Sequence, residues 1–534
     1  MIYTEDFFTS GNSYPNDDLV QLVDSFTNEN VNYKLTTTWH DGSVIDDTKT
    51  DGVVYRKKDS SFYKRIYDEK INVLWFGLNN AGAADNIPLV NKLKVFVEKR
   101  KGNCTLYFPE GQYKFSDQLK FSNVANFSLT GSSKQYLFFK GDKVNASCVL
   151  DFDESDNDGL VIETFTGLSI ADLFISYNQE NKQNPGGAAL KITKGHIFEI
   201  EGLAIDAYAA QSLPVVGMEI GGNTMETCCF SGSISDCKIA GNDGYGLWLR
   251  NANTSINVTS VYCLHTPIVV DGTVYSTLSN CAVDGGTIGY HITGSTSFNS
   301  TNLSFISCGA ESQMKTAFLI DDFSQNITFL NPYTANPNTM ADANVGGLMT
   351  IWAHTMDGYN FVKNITVISP TSHHNNGEFD VMVFGNIDNV QFQNTNKKIM
   401  EKGFGGPAVE RLEITGDYAE RNFTFTYENC LNFDQATFNT SFYRNNDRIY
   451  FRIKVTPEIG SDIQAITMDS TIKLPFKGNG KATLSNHIFD KGSCLINDGT
   501  IYLLNSDLTD MPIYIDGFVM FNDKKILGTD WPWS

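Results

Sequence analysis

Ile170-Ala171-Asp172-Leu173-Phe174-Ile175, Ile200-Glu201-Gly202-Leu203-Ala204-Ile205 and Ile234-Ser235-Asp236-Cys237-Lys238-Ile239 are three copies of one pattern. It reads apolar, any residue, polar or small, apolar, any residue, apolar. Further copies occupy residues 258–263, 278–283 and 303–308, and weaker ones begin at Ile327, Ile365 and Val390. Their first positions lie 20 to 38 residues apart. A fixed strand signature with an irregular period is what a solenoid produces when its turns vary in length and its core strands do not. Between the copies stands a second apolar pair: Leu190/Ile192, Met218/Ile220, Leu247/Leu249, Ile268/Val270, Tyr290/Ile292 and Phe318/Ile320. Alternation at period two marks strands with one buried face. Gly217, Gly246 and Gly289 precede three of these pairs and are expected to give the chain freedom at a corner. The run Asn-apolar-Ser/Thr-apolar at Asn257, Asn302, Asn326 and Asn364 reads as a corner entering a strand. The expectation is a parallel β-helix with at least two strands per coil. A leucine-rich repeat frame and a propeller's repeated aromatic dipeptide are not present.

Composition agrees with an all-β chain. The 534 residues carry 37 Phe and 23 Tyr, and 19% charged residues against 41% hydrophobic ones exclude a disordered chain. A net charge of −21 argues against nucleic acid as the main partner, because phosphate recognition needs a basic face. No stretch of 18 apolar residues is present, so no membrane insertion is expected, and Met1 to Asp6 does not resemble a signal peptide. The ten Cys show no disulfide framework; Cys237, Cys263, Cys281 and Cys308 are expected inside the coils. With no P-loop, dinucleotide fingerprint or HExxH, no cofactor is expected.

Before the repeats, Asp85 and Asn86 can cap a helix running to about residue 100. Pro88 sits in its first turn, Leu89, Val90, Leu93, Phe96 and Val97 share a face, and Lys99-Arg100-Lys101-Gly102 closes it. The stretch Trp75-Phe76-Gly77, this helix, Leu106-Tyr107-Phe108-Pro109-Glu110-Gly111-Gln112-Tyr113 and Leu129-Thr130-Gly131 resembles the opening of the pectate-lyase-superfamily domain found in phage tail spikes. The segment from Gly77 to Asn86 departs from the family pattern, keeping only its glycines and Asp85. The resemblance spans about residues 72 to 395 and implies a right-handed parallel β-helix capped by the helix. It also implies a virion tail protein, a homotrimer, and a bacterial surface polysaccharide as partner.

The flanks differ in texture. Residues 1–70 suggest a module for attachment to phage tail or baseplate proteins, with a short helix from Asp17 to Phe26. The coils are expected over 71–402. Residues 403–534 alternate in short strands, including Phe423 to Tyr427, Ile449 to Val455 and a hairpin around Asp498-Gly499, and read as an antiparallel β-sandwich. That head would trimerise or bind sugar, with Trp531 and Trp533 available for either role.

Glycoside hydrolysis needs two carboxyls flanking the scissile bond, and on a β-helix adjacent coils place side chains about 4.8 Å apart. The coil alignment sets Asp206 and Asp284 at one equivalent position, with His265 and Glu311 one and two positions further on their own coils. Asp284 and Glu311 are therefore the expected catalytic pair, with His265 and His291 as neighbouring substrate-binding groups. Asp236, Asp243 and Asp271 are reserves. Trp248, between Leu247 and Leu249, points outward as a sugar-stacking platform, and Trp352 is a second. The acidic run Asp151 to Gly159 lacks the twelfth-position Glu of a calcium loop and reads as a solvated turn. His373-His374 reads as a loop pair. Three functions remain open: a glycoside hydrolase that depolymerises the glycan, a non-catalytic adhesin, and a polysaccharide lyase. The lyase ranks last because the coils carry few bases.

Overall fold

The computed structural model describes residues 2–3, 5–8, 17–132, 146–180, 182, 186–209, 215–242, 244–251, 254–342, 345–353, 362–376, 379–385, 387–395, 397, 399–402, 412–414, 426–428, 436–445, 448–457, 471–473, 479–485, 490–497, 500–502 and 513–520. The chain falls into two compact units, Met1–Val269 and Val270–Ser534.

The first unit begins with a five-stranded sheet. Ile2–Tyr3 pairs in parallel with Leu19–Val23, which continues antiparallel to Asn30–Thr36, then Ser61–Arg65, then Tyr55–Lys58. The helix expected from Asp17 is therefore a strand. Val20 and Leu22 are buried while Leu19 and Val23 are exposed, a period-two pattern that pairs with Val31 and Tyr33. Phe7, Tyr33 and Tyr63 complete this sheet's core.

The helix runs Asn91–Arg100 and starts later than its capping residues suggest. Asn86 is fully buried, its side chain accepting from the Asn79 N–H at 2.6 Å and donating to the carbonyls of Asn79 at 2.9 Å and Lys114 at 3.2 Å. A carboxamide held that way ties two loops together and caps nothing. Leu93, Phe96 and Val97 face inward, and Phe96 packs on Phe76.

Coils follow: early ones run one long and one short strand, as in Leu160–Ala171 and Phe174–Gln179, and later ones three, as in Val216–Gly221, Cys229–Ser235 and Lys238–Gly241, where at least two were expected. One sheet of the first unit stacks Gly111–Lys114, Cys148–Asp151, Phe174–Gln179, Ala204–Ala209, Lys238–Gly241 and Tyr262–Leu264, all parallel. In another, Leu190, Met218 and Leu247 stand in register, as do Ile192, Ile220 and Leu249. The repeat's own strand stacks Leu129, Ile170, Ile200, Ile234 and Val258, all buried. The two apolar columns read from the sequence are thus interior ladders.

The second unit repeats the plan. Tyr290, Phe318 and Met349 form one column, and Phe305, Phe329, Val367 and Phe392 another. Like stacks on like: the rings of Tyr290 and Phe318 lie 4.7 Å apart at 11°, and those of Phe305 and Phe329 4.7 Å apart at 15°. Leu278 pairs with Phe305 and not with Leu303, so the sixth copy of the repeat sits two residues out of its sequence alignment. Asn302, Asn326, Asn364 and Asn389 form an outer ladder, each amide donating to the Oδ1 of the one before at 3.2, 2.8 and 3.0 Å. All four take positive φ, which Asn tolerates better than other residues with a Cβ. Asn257 does not belong to such a corner; Ser255, two residues earlier, holds the left-handed position. Thr426–Glu428 to Ile513–Met520 make an eight-stranded antiparallel sheet. Phe423, Trp531 and Trp533 lie outside the described residues.

The strand glycines differ from expectation. Gly217, Gly246 and Gly289 have no positive φ. A Cβ on Gly217 would stand 2.4 Å from Ile239 Cγ2, and one on Gly289 2.6 Å from Ala310 Cβ, so these glycines permit close approach of another wall. The four interior cysteines are all buried. Cys263 stands opposite Ile239, while the Cys308 thiol hydrogen-bonds Cys281, a contact that with burial pushes it up.

Candidate functional site

Asp284 and Glu311 end the strands Ala282–Asp284 and Gly309–Glu311, and the two are direct partners in a parallel ladder. They share a height exactly one coil apart, closer than the two-position offset read from the repeat. Parallel neighbours lie about 4.8 Å apart. Asp284 is half-buried and Glu311 exposed. The column continues through Ala335 to the exposed His373.

A buried amide fixes this pair. Gln313 is fully buried, and its Nε2 lies 2.7 Å from Glu311 O, 3.2 Å from Val283 O and 3.4 Å from Gly285 O. The Gly285 N–H donates to Glu311 O at 2.8 Å. One side chain thus stitches both turns that carry the carboxylates. Sequence reading missed Gln313; a lone Gln two residues past a strand end carries no pattern.

Of the two imidazoles, His291 leaves this sheet. Gly285 and Gly286, both at positive φ, turn the chain after Asp284, and His291 falls in Ile288–Thr293, a strand of a different sheet. Its Nε2 lies 3.4 Å from Asp321 Oδ2. His265 is an exposed left-handed residue after Tyr262–Leu264 in the first unit. Of the reserves, Asp236 is exposed at positive φ, Asp271 is half-buried, and Asp243 lies outside the described residues. Asp206 is buried, in register with Ser176 and, a further coil away, Asp151. The acidic run 151–159 is engaged: Glu154 with Lys114, Asp156 with Lys182, Asp158 with Lys191, and Asp153 with the Ser176 hydroxyl.

Trp248 is half-buried on the outer face of Tyr245–Arg250. Its coil neighbours in register are Glu219 and then Lys191. Glu219 accepts from Arg250 at 2.8 Å and faces Lys191 at 3.3 Å, and the Arg250 guanidinium lies 4.1 Å from the Trp248 ring centre. Lys191 and Glu219 were legible: they are the middle letters of the same apolar pairs whose third copy holds Trp248. Trp352 is half-buried beside Phe384, ring centres 5.5 Å apart.

No family model and no curated protein matches the sequence. Solved structures do. Full-length tailspike protein 2 from an Escherichia coli O157:H7 bacteriophage aligns over 94% of this chain and 70% of its own, at TM-score 0.50 and 11% identity. The tailspike protein gp49 of Acinetobacter baumannii bacteriophage Fri1, a capsular polysaccharide depolymerase, aligns over 96% of both chains at TM-score 0.44 and 11% identity. DFA-IIIase from Arthrobacter chlorophenolicus A6 aligns over 60% of this chain and 94% of its own, at TM-score 0.39 and 10% identity. The chain has the parallel β-helix fold. It shares that fold with a phage tailspike.

Proposed function

We propose that this chain is a phage tail spike that binds a bacterial surface polysaccharide and hydrolyses it with Asp284 and Glu311. The observation that carries the reading is the in-register placement of these two carboxylates on adjacent coils, one half-buried and one exposed. Backbones about 4.8 Å apart favour the short carboxyl separation, about 5 to 5.5 Å, of retaining glycosidases. One carboxyl gives its proton to the glycosidic oxygen as the C–O bond breaks, and the other bonds the anomeric carbon. Water then releases the sugar as a new reducing end, and the first group takes back a proton. The fold shared with a tailspike supports the virion setting. In this reading residues 1–70 attach to the tail, the helix caps the coils over 71–402, residues 403–534 form a sandwich head, and three copies assemble.

The test is to incubate the protein with host capsule, following reducing ends and the absorbance of unsaturated sugars together. Asp284→Asn and Glu311→Gln should each abolish the release of reducing ends while cell binding and melting stay near wild type. Unsaturated products would establish a lyase. Wild-type binding without turnover would establish an adhesin.

A further inference from the structure

The outer face of the first unit carries a charged cluster that the interior does not require. Lys191, Glu219 and Trp248 stack on three successive coils, and all three point away from the core ladders on either side of them. Glu219 is the recessed member, its side chain only 4% exposed. Arg250 binds Glu219 Oε1 through Nη1 at 2.8 Å, and Lys191 lies 3.3 Å from Glu219 Oε2 and 3.4 Å from Asp158 Oδ2. The side chains of Lys191 and Arg250 remain 29% and 23% exposed. The Glu219 carboxylate is therefore recessed beneath both cations, while Asp158, 21% exposed, stands beside Lys191 at the surface and leaves Arg250 as the cation of the rim. Arg250 also lies over Trp248, and Tyr245 meets the same indole edge-on at 4.7 Å between ring centres.

Surface ion pairs contribute little to stability, and a buried carboxylate costs desolvation energy. What the arrangement does achieve is to hold a guanidinium, an ammonium and an indole in fixed relative positions on an open face. An amphipathic ring beside planar, pre-positioned donors is how proteins meet a sugar ring and its oxygens. A guanidinium is matched to a carboxylate in both shape and charge. In a chain of net charge −21, the Arg250 guanidinium, its own counter-charge recessed, favours an anionic ligand locally against the field of the whole molecule.

We propose that Trp248, Arg250 and Lys191 form a subsite for a carboxylate-bearing sugar, a uronic acid or its like, within the bound polysaccharide, with Glu219 as the positioning residue beneath them. The assignment rests on the reading that the partner is a surface polysaccharide. It concerns binding and not cleavage.

The probe is an array of purified bacterial capsular and O-antigen polysaccharides, with and without uronic acids. Each acidic polysaccharide is also printed after chemical reduction of its carboxyls to alcohols, which keeps the ring and removes the charge. Full-length wild type should bind one or more acidic members, and carboxyl reduction should weaken that binding at least tenfold. Trp248→Ala and Arg250→Gln should each lose at least tenfold, Trp248→Phe less, because it retains a ring. Circular dichroism and melting of each variant separate lost binding from lost fold. Wild type bound only to neutral polysaccharides would overturn the ligand class. Folded Trp248→Ala and Arg250→Gln binding as wild type does would overturn the subsite and leave the polysaccharide reading standing. Wild type bound to nothing would remove that reading and this one with it.

Discussion

Replacing Gln313 by Leu keeps the side-chain volume and removes the amide that joins the turns after Asp284 and Glu311. Its two Nε2 protons serve three carbonyl oxygens, those of Glu311, Val283 and Gly285. Two bonds at about 1 kcal/mol each suggest a local loss of about 2 kcal/mol. That corresponds to about a 30-fold change in an opening equilibrium, since about 1.4 kcal/mol is tenfold. Global unfolding is a poor readout, because a chain of this size need not unfold in one step. Hydrogen exchange reads the turns directly. The amide of Gly285, bonded to Glu311 O at 2.8 Å, and that of Ser312, bonded to Ala335 O at 2.9 Å, are the reporters. Peptides containing them should exchange about 30-fold faster in Gln313→Leu, while the strand Ala188–Glu201 keeps its wild-type protection. Reporter exchange within about threefold of wild type would refute the stitching argument. Water, or the carbonyls' ladder partners, would then be satisfying them.

Two further perturbations probe the coils and the N-terminal sheet. A Cβ at Gly232 would lie 2.0 Å from Phe198 Cζ, so Gly232→Ala should cost about 1 to 3 kcal/mol by overpacking. Adding Phe198→Leu should recover part of the lost melting temperature, and a double variant no better than Gly232→Ala alone would count against the ring contact. The buried pair Asp24–Arg65, 2.6 Å apart, sets an acid limit. Burial alone would raise the Asp24 carboxyl, but the Arg65 guanidinium and the Thr27 and Phe26 amides outweigh it and hold it below the ordinary carboxylate range. Because the folded value is depressed, the stabilisation is fully present above about pH 3.9 and is lost as pH falls through the folded value. Arg65 lies 3.7 Å from the Trp75 ring centre, so indole fluorescence can follow the loss. Asp24→Asn should lower stability at pH 7 and flatten that acid transition; an unchanged acid midpoint would show that other carboxylates govern it.

Much of the fold could be read directly because a solenoid writes its core as a one-dimensional pattern. Each apolar position contacts its counterparts in neighbouring coils, so the columns Leu190–Met218–Leu247 and Ile170–Ile200–Ile234 appear in the chain as recurring letters. The N-terminal region has no such repetition. There Leu19, Leu22, Val23 and Phe26 fit a helical face as well as Val20 and Leu22 fit a strand, and only pairing with Val31 and Tyr33 decided between them. Asn86 was read as a cap because Asn suits that place. Its bonds to Asn79 depend on a loop folding back beside it, which local preference does not encode.

The recurring apolar letters and their spacing were enough to establish that this chain coils, which residues face inward, and that Asp284 and Glu311 stand near each other outside. They were not enough to set the register between coils. A slip of two residues leaves every side chain on its own face, so pairing Leu278 with Leu303 satisfies the alternation as well as pairing it with Phe305. The pairing of Leu278 with Phe305, which sets Cys281 against Cys308, distinguishes them. That choice brings Glu311 level with Asp284. The corner at Gly285 and Gly286 carries His291 to another sheet, and the clustering of Lys191, Glu219, Trp248 and Arg250 likewise exists only once the coils are stacked.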